Sequence, residues 1–307
     1  MPAHGAVPGP GGSAAERTGL LGVFVPLLHD VYFSGILSGV AEGAYEHELR
    51  LVLSPTHHEH IREATLLDRM MRGLVDGAIM VLPEASTEEL ERVLTERHPF
   101  VVVDPLLPLD TRIPCITVAN RSGADQAMQH LLALGHRRIG AITGPPGWVA
   151  TEGRRSGYRA ALAAAGIPFD PALEVESDFQ IGPGAEAAAS LLDLPEPPTA
   201  IFGFSDAIAV GAMRAARQRG LRLPEDLSIV GYDDVMYATI VTPALTTVRQ
   251  PLADMGRTAV HFVARLLEAQ HLGSQQIELP TRLVVRQSTA PPPRPSSKPP
   301  SVGTGRS

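Results

Sequence analysis

AIFGFSDAIAVGAMRAARQRGLRLPEDLSIVGYD, residues 200–233, holds one complete strand–helix–strand unit. Its ends, AIFGF (200–204) and SIVGYD (228–233), are short apolar runs of the kind that form strands buried on both faces. Between them, residues 207–219 carry Ala, Val and Met on a helical pattern, and Gly220 follows where a helix end favours a left-handed residue. Two strands joined through a helix run parallel. The same alternation extends outward in both directions. RIGAIT (138–143), LEVES (173–177) and TTVRQ (246–250) read as strands, and residues 125–134, 152–165 and 183–192 read as helices, the first two closed by Gly135 and Gly166. In the first half LLGVFV (20–25), LRLVLS (49–54), GAIMVL (77–82), FVVVD (100–104) and CITV (115–118) repeat the scheme. Phe33, Ile36, Leu37, Val40 and Ala44 recur at helical spacing and form one stripe that can cover a sheet face. The pattern predicts an α/β protein of two doubly wound parallel-sheet lobes.

The bulk numbers agree with two cores. The chain has 307 residues, 44% of them hydrophobic, and a single cysteine, which excludes a disulfide scaffold. Cys115 lies in an apolar run and reads as a small core residue. The formal net charge is −7 with the basic residues scattered among acidic ones, so no Lys/Arg stripe presents itself to a phosphate backbone and these residues alone are not expected to bind DNA. Leu20 to Leu28 could imitate a signal segment, but Pro26 interrupts it and His29-Asp30 ends it; a first buried strand fits better. No apolar stretch approaches the roughly 20 residues that span a bilayer, so no membrane partner and a cytoplasmic location are expected. Residues 1–16 (mostly Gly, Pro and Ala) read as a flexible arm and the Pro/Ser-rich residues 290–307 as a disordered tail.

Two doubly wound lobes place a ligand where the carboxyl ends of their strands face one another, because loops there converge on one crevice. Strand position alone therefore selects Tyr32 and Phe33, Asp104, Trp148, Phe179, Ser205 and Asp233. Carboxylates accept hydroxyl hydrogens, and aromatic faces stack on the C–H faces of sugars or on purine rings. Core packing is the competing reading for each aromatic residue. The run His57, His58, Glu59, His60 invites a metal, but neighbouring residues fan out and no second ligand group stands nearby, so no metal is expected. GPPG (144–147) lacks the phosphate-cradling glycine patterns and no G-x-S-x-G elbow is present, so neither a cofactor nor an enzyme is expected.

Seven further stretches occur in series: VDGAI (75–79), HLLALGHRRIG (130–140), RRSGYRAAL (154–162), PTAIFGFSDAIAVGAM (198–213), LPEDLSIVGYDD (223–234), TPALTTVRQP (242–251) and LVVRQST (283–289). From Arg17 to about Thr289 the chain resembles the regulatory core of the LacI/GalR family of transcriptional regulators. The resemblance implies a periplasmic-binding-protein-like fold with three crossovers near residues 118, 250 and 279. On that basis residues 18–118 with 250–279 form the N-terminal lobe and 119–249 with 280–289 the C-terminal lobe, flanked by an arm (1–17) and a tail (290–307). It implies that Arg154 reaches the effector from a helix start while Arg155 points elsewhere, that Ser205 touches ligand while Asp206 caps the next helix, and that Asp104 and Asp233 accept from it. Pro105 departs from the Arg or aromatic residue that often follows Asp104 in the family. The family usually begins with a helix-turn-helix and hinge helix, whereas a Gly/Pro arm stands before the first strand here, so operator DNA is expected to be met only through a headpiece absent from this chain. The remaining expectations are a sugar or polyol effector, allosteric control of DNA binding, and a homodimer formed through the sides of both lobes, including helix 207–219. The alternative is a soluble substrate-binding protein for sugar uptake, disfavoured by the missing export signal and the regulator-like motifs.

Overall fold

The computed structural model describes residues 17–268 and 276–293; the expected arm, and the expected tail beyond residue 293, lie outside the described residues. The first lobe opens with β1 (Leu20–Val25), α1 (Val31–Glu46), β2 (Arg50–Pro55), α2 (His60–Met71), β3 (Gly77–Val81), α3 (Thr87–Thr95), β4 (Phe100–Val103) and β5 (Cys115–Val118). The second lobe holds α4 (Asn120–Ala133), β6 (Ile139–Ile142), α5 (Val149–Ala164), β7 (Glu174–Val175), α6 (Ile181–Leu192), β8 (Ala200–Gly203), α7 (Asp206–Gln218), β9 (Ser228–Asp233), α8 (Tyr237–Ile240) and β10 (Thr246–Arg249). The chain then returns through α9 (Leu252–Leu267) and β11 (Gln276–Leu279) before β12 (Arg282–Val284).

The N-terminal sheet runs β11-β5-β4-β3-β1-β2, with every neighbouring pair parallel. α1 and α9 cover one face with Phe33, Ile36, Val40, Val260 and Val263, while α2 and α3 cover the other with Leu67, Met70, Leu90 and Val93. Two covered faces explain why GAIMV is apolar throughout instead of alternating. α1 and α9 touch backbone to backbone: a Cβ on Gly39 would fall 1.7 Å from the Ala253 carbonyl oxygen, so only glycine fits there.

The C-terminal sheet runs β12-β10-β9-β8-β6-β7. It is parallel except for β12, which returns antiparallel to β10 and caps that edge. LEVES shortens to β7 because this edge strand pairs only with β6 and its Glu174 turns to Arg155 and Arg159. The apolar side of α7 is consumed inside the lobe, with Ile208, Ala209, Ala212, Met213 and Ala216 buried. Most of the Ala and Met residues expected to serve a dimer contact are therefore core, while Ala207 and Val210 stay partly exposed. The expected tail is anchored at its start: Ala290 N–H donates to Ser228 Oγ at 2.9 Å, and the Ala290 carbonyl lies 2.9 Å from His136 Nε2.

The chain passes between sheets at Ala119, at Gln250–Pro251 and at Pro280–Thr281. The first and third passages are bonded together, Ala119 N–H to Leu279 O at 2.9 Å and Thr281 Oγ1 to Ala119 O at 3.2 Å. The lobes also meet across the crevice. Val149 N–H, at the start of α5, donates to Leu106 O at 2.8 Å, and Val235 inserts into the apolar cluster of the N-terminal lobe.

Candidate functional site

Strand ends aim side chains into the crevice through unusual backbone. Leu82, Asp104 and Asp233 end or follow β3, β4 and β9 with φ of 45°, 53° and 117°, conformations costly for residues other than glycine and retained where the fold over-determines them.

On the N-terminal wall Asp30 caps α1, its Oδ1 accepting Tyr32 N–H at 2.7 Å. That cap sets the first turn, from which the Tyr32 hydroxyl donates to Asp104 Oδ2 at 2.6 Å. Asp104 is 6% exposed. Burial raises its carboxyl pKa, against the Tyr32 hydrogen bond and the Arg154 charge, which lower it. Phe33, selected for the crevice, belongs instead to the N-terminal core; its position in the apolar stripe of α1 turns it inward, and its ring meets Tyr32 edge-on with centroids 5.5 Å apart.

The C-terminal wall is built around Arg154, which is 3% exposed. Its Nε donates to Asn120 Oδ1 at 2.9 Å, Nη1 donates to the Phe204 carbonyl and stands 3.9 Å from Asp233 Oδ1. The guanidinium lies 3.8 Å from the Tyr232 ring centroid, a cation–π seat, and 5.9 Å from that of Phe179. Phe179 in turn faces Trp148, ring centroids 5.7 Å apart and both half-buried. Asp233 Oδ1 accepts Gln250 Nε2–H at 2.7 Å. Burial pushes the Asp233 carboxyl up to about 7 although Arg154 opposes the shift. Arg155 turns away to Glu174, 3.0 Å from its Oε1.

The helix-capping duty expected of Asp206 falls to Ser205. Ser205 Oγ caps α7 by accepting Ile208 N–H at 3.1 Å. Asp206, fully buried, accepts Val235 N–H at 2.9 Å and the Thr247 hydroxyl, which fixes the loop after β9. The capping assignment follows from geometry: the residue just before the helix holds the capping conformation, and the first helical residue points inward.

Several residues of the site escaped the sequence reading. Asn120 and Gln250 sit on the crossovers, and Tyr232 precedes Asp233 inside a strand. Gln250 Oε1 and Thr151 Oγ1 are buried with no hydrogen-bond partner among the described residues. Gln250 was signalled only by its place at the end of TTVRQ, beside the second crossover. Away from the crevice, His58 pairs with Glu84 at 3.2 Å and His60 with Glu89 at 2.7 Å, and no group of three or more metal-ligating side chains forms among the described residues. Burial pushes the Cys115 thiol up to about 12. No helix among the described residues is long and apolar enough to cross a membrane.

A model of the periplasmic-binding-protein-like domain matches residues 128–289. The HTH-type transcriptional repressor CytR of Escherichia coli K12 is 35% identical over 271 residues, covering 87% of this chain and 78% of that protein. The chain belongs to the LacI family of transcriptional regulators. Solved structures of transcriptional regulators superpose on it. The complex of the transcriptional regulator CelR with cellobiose has a TM-score of 0.82 and 31% identity, over 89% of this chain and 85% of that one. A LacI family regulator from Enterococcus faecium with bound ribose has a TM-score of 0.79 and 27% identity, over 89% and 99%. The two lobes are thus the effector-binding core of a LacI-type transcriptional regulator, and the relatives named are regulators.

Proposed function

We propose that the crevice binds a small polyhydroxylated effector, a sugar or close relative, and that its occupation biases the arrangement of the lobes and hence DNA binding by a homodimer in the cytoplasm. The observation that carries this reading is the convergence of Asp104, Asp233 and the unpartnered Gln250 Oε1 as acceptors around one multidentate donor, Arg154. Acceptors in excess suit a ligand rich in hydroxyl donors and disfavour an anion such as a sugar phosphate. Trp148, Phe179 and Tyr32 add apolar faces. The neighbours solved with cellobiose and ribose support the same class. The site is read as a binding site and not a catalytic one, since its carboxylates stand without an activated nucleophile or metal constellation.

Population shift supplies the mechanism: a ligand favours whichever lobe arrangement it contacts better. Operator contact is assigned to a DNA-binding element outside these lobes, in keeping with the net charge of −7. The dimer is assigned to the sides of both lobes, where Leu53 and Ile61 on one and Met236, Ile240 and Val285 on the other are exposed large apolar residues. A thermal-shift screen of neutral sugars, polyols, nucleobases, amino acids and sugar phosphates, followed by calorimetry, tests the ligand class. Stabilisation by a neutral sugar is expected, and a purine hit without any sugar hit would reject it. Sedimentation at micromolar concentration should give a dimer; monomer alone rejects that part.

A further inference from the structure

Asn120 occupies the point at which the chain first passes from one lobe to the other, immediately after Ala119. Its side chain is 5% exposed overall and faces both ways. Nδ2 donates to the carbonyl of Val118, the last residue of β5 in the N-terminal sheet, at 3.3 Å. Oδ1 accepts from Nε of Arg154, the cation of the C-terminal wall, at 2.9 Å. Two contacts hold this bridge in place. The Tyr232 hydroxyl, whose ring carries the Arg154 guanidinium, lies 3.5 Å from the Asn120 carbonyl oxygen. Gly153, the residue before Arg154, leaves room for it, since a Cβ there would come 2.7 Å from Asn120 Cβ. The helix bearing the arginine is thus pressed directly against the crossover.

We propose that Asn120 is a positioning residue that ties the presentation of Arg154 to the conformation of the first crossover. Rotation of one lobe on the other must pass through the torsions around Val118–Asn120, and any change there moves the acceptor that orients the guanidinium. Arg154 is then held for ligand in one lobe arrangement and released from its fixed pose in others, so the crossover is a coupling element and not only a tether. This rests on the effector-binding reading above. The acceptor is what orients Arg154, so Asn120→Asp keeps that hydrogen bond while losing the donation to Val118 O, and Asn120→Ala removes both.

The test uses the full chain with D-ribose and cellobiose as probes, measured by calorimetry on the wild type, Asn120→Ala, Asn120→Asp, Arg154→Ala and the Asn120→Ala/Arg154→Ala pair. For the sugar that binds, Asn120→Ala should weaken affinity about tenfold, the size of one lost hydrogen bond to a charged group. Asn120→Asp should stay within about threefold, and Asn120→Ala should cost nothing further once Arg154 is alanine. Unchanged affinity in Asn120→Ala, or the same loss in both backgrounds, overturns the proposal. If the wild type binds neither sugar, the effector reading is what suffers, and Asn120 is judged separately from arginine Nε–H resonances of the ligand-free protein. A slowly exchanging Arg154 Nε–H present in the wild type and Asn120→Asp and lost in Asn120→Ala supports positioning; its survival in Asn120→Ala refutes it.

Discussion

The two walls of the crevice are built to different standards. On the C-terminal side Arg154 is fixed by Asn120, by the Phe204 carbonyl and by the Tyr232 ring, and Asp233 is held by Gln250. On the N-terminal side one hydrogen bond, Tyr32 to Asp104, organises the polar surface, and the neighbouring aromatic, Phe33, has gone into the core. A prearranged wall loses little freedom when ligand arrives, while a sparsely tied wall gains order on closing. On the proposed effector reading, the difference makes the C-terminal lobe the anchor and the N-terminal lobe the part that orders on closing.

Arg154→Ala is expected to have the largest effect, because it removes the donor and leaves Asp233 and Asp104 buried without their cation. At about 1.5–3 kcal/mol per hydrogen bond to a charged group, sugar affinity should fall roughly ten- to a hundredfold with the fold retained. Asp233→Asn should come next, near tenfold, and should also change the pH dependence of binding, since burial raises that carboxyl above the usual carboxylate range. Tyr32→Phe should cost least of the three, about three- to tenfold, as a single hydrogen bond of about 1 kcal/mol on the less ordered wall. Calorimetry across the series ranks them. A Tyr32→Phe loss as large as that of Arg154→Ala would remove the asymmetry between the walls.

The same asymmetry governs what could be read from sequence. Asp104, Asp233 and Tyr32 were legible because strand ends in a doubly wound sheet must face the crevice, and Arg154 through its motif. Asn120 and Gln250 were not, because a crossover has no periodicity to mark it and its side chains acquire partners only when both lobes are present. Phe33 was misassigned because it lies at a strand–helix junction and also within the apolar stripe of α1, and the stripe prevailed. Ser205 and Asp206 were confused because both can cap; only the backbone at Ser205, extended at φ −150° and ψ 165°, separates them. The two sheets were legible as runs of apolar residues, whereas the antiparallel return of β12 depends on a long-range contact that a local pattern does not encode.

The rim of the N-terminal wall, like Asp233 opposite, is held by a proton-sensitive group. Glu63 on α2 is 1% exposed, and its carboxyl oxygens accept Glu84 N–H at 2.7 Å and Ala85 N–H at 3.4 Å, fastening the loop that follows β3. His60 on its own helix and Glu84 on the loop are the charged groups that act on it, and they are themselves engaged with Glu89 and His58. Burial pushes the Glu63 carboxyl up from 4.5 to about 7, outweighing the two backbone donors. Between those values the folded chain keeps a proton that the unfolded chain has released, so stability must fall as pH rises from about 4.5 to about 7. Glutamine cannot ionise. Glu63→Gln should therefore compare increasingly well with the wild type as pH is raised, by at most about 3 kcal/mol between pH 5 and pH 8. Urea midpoints of both proteins at those two pH values measure the difference. A gap that stays constant would mean that Glu63 is already charged at pH 5 and that burial does not raise its carboxyl.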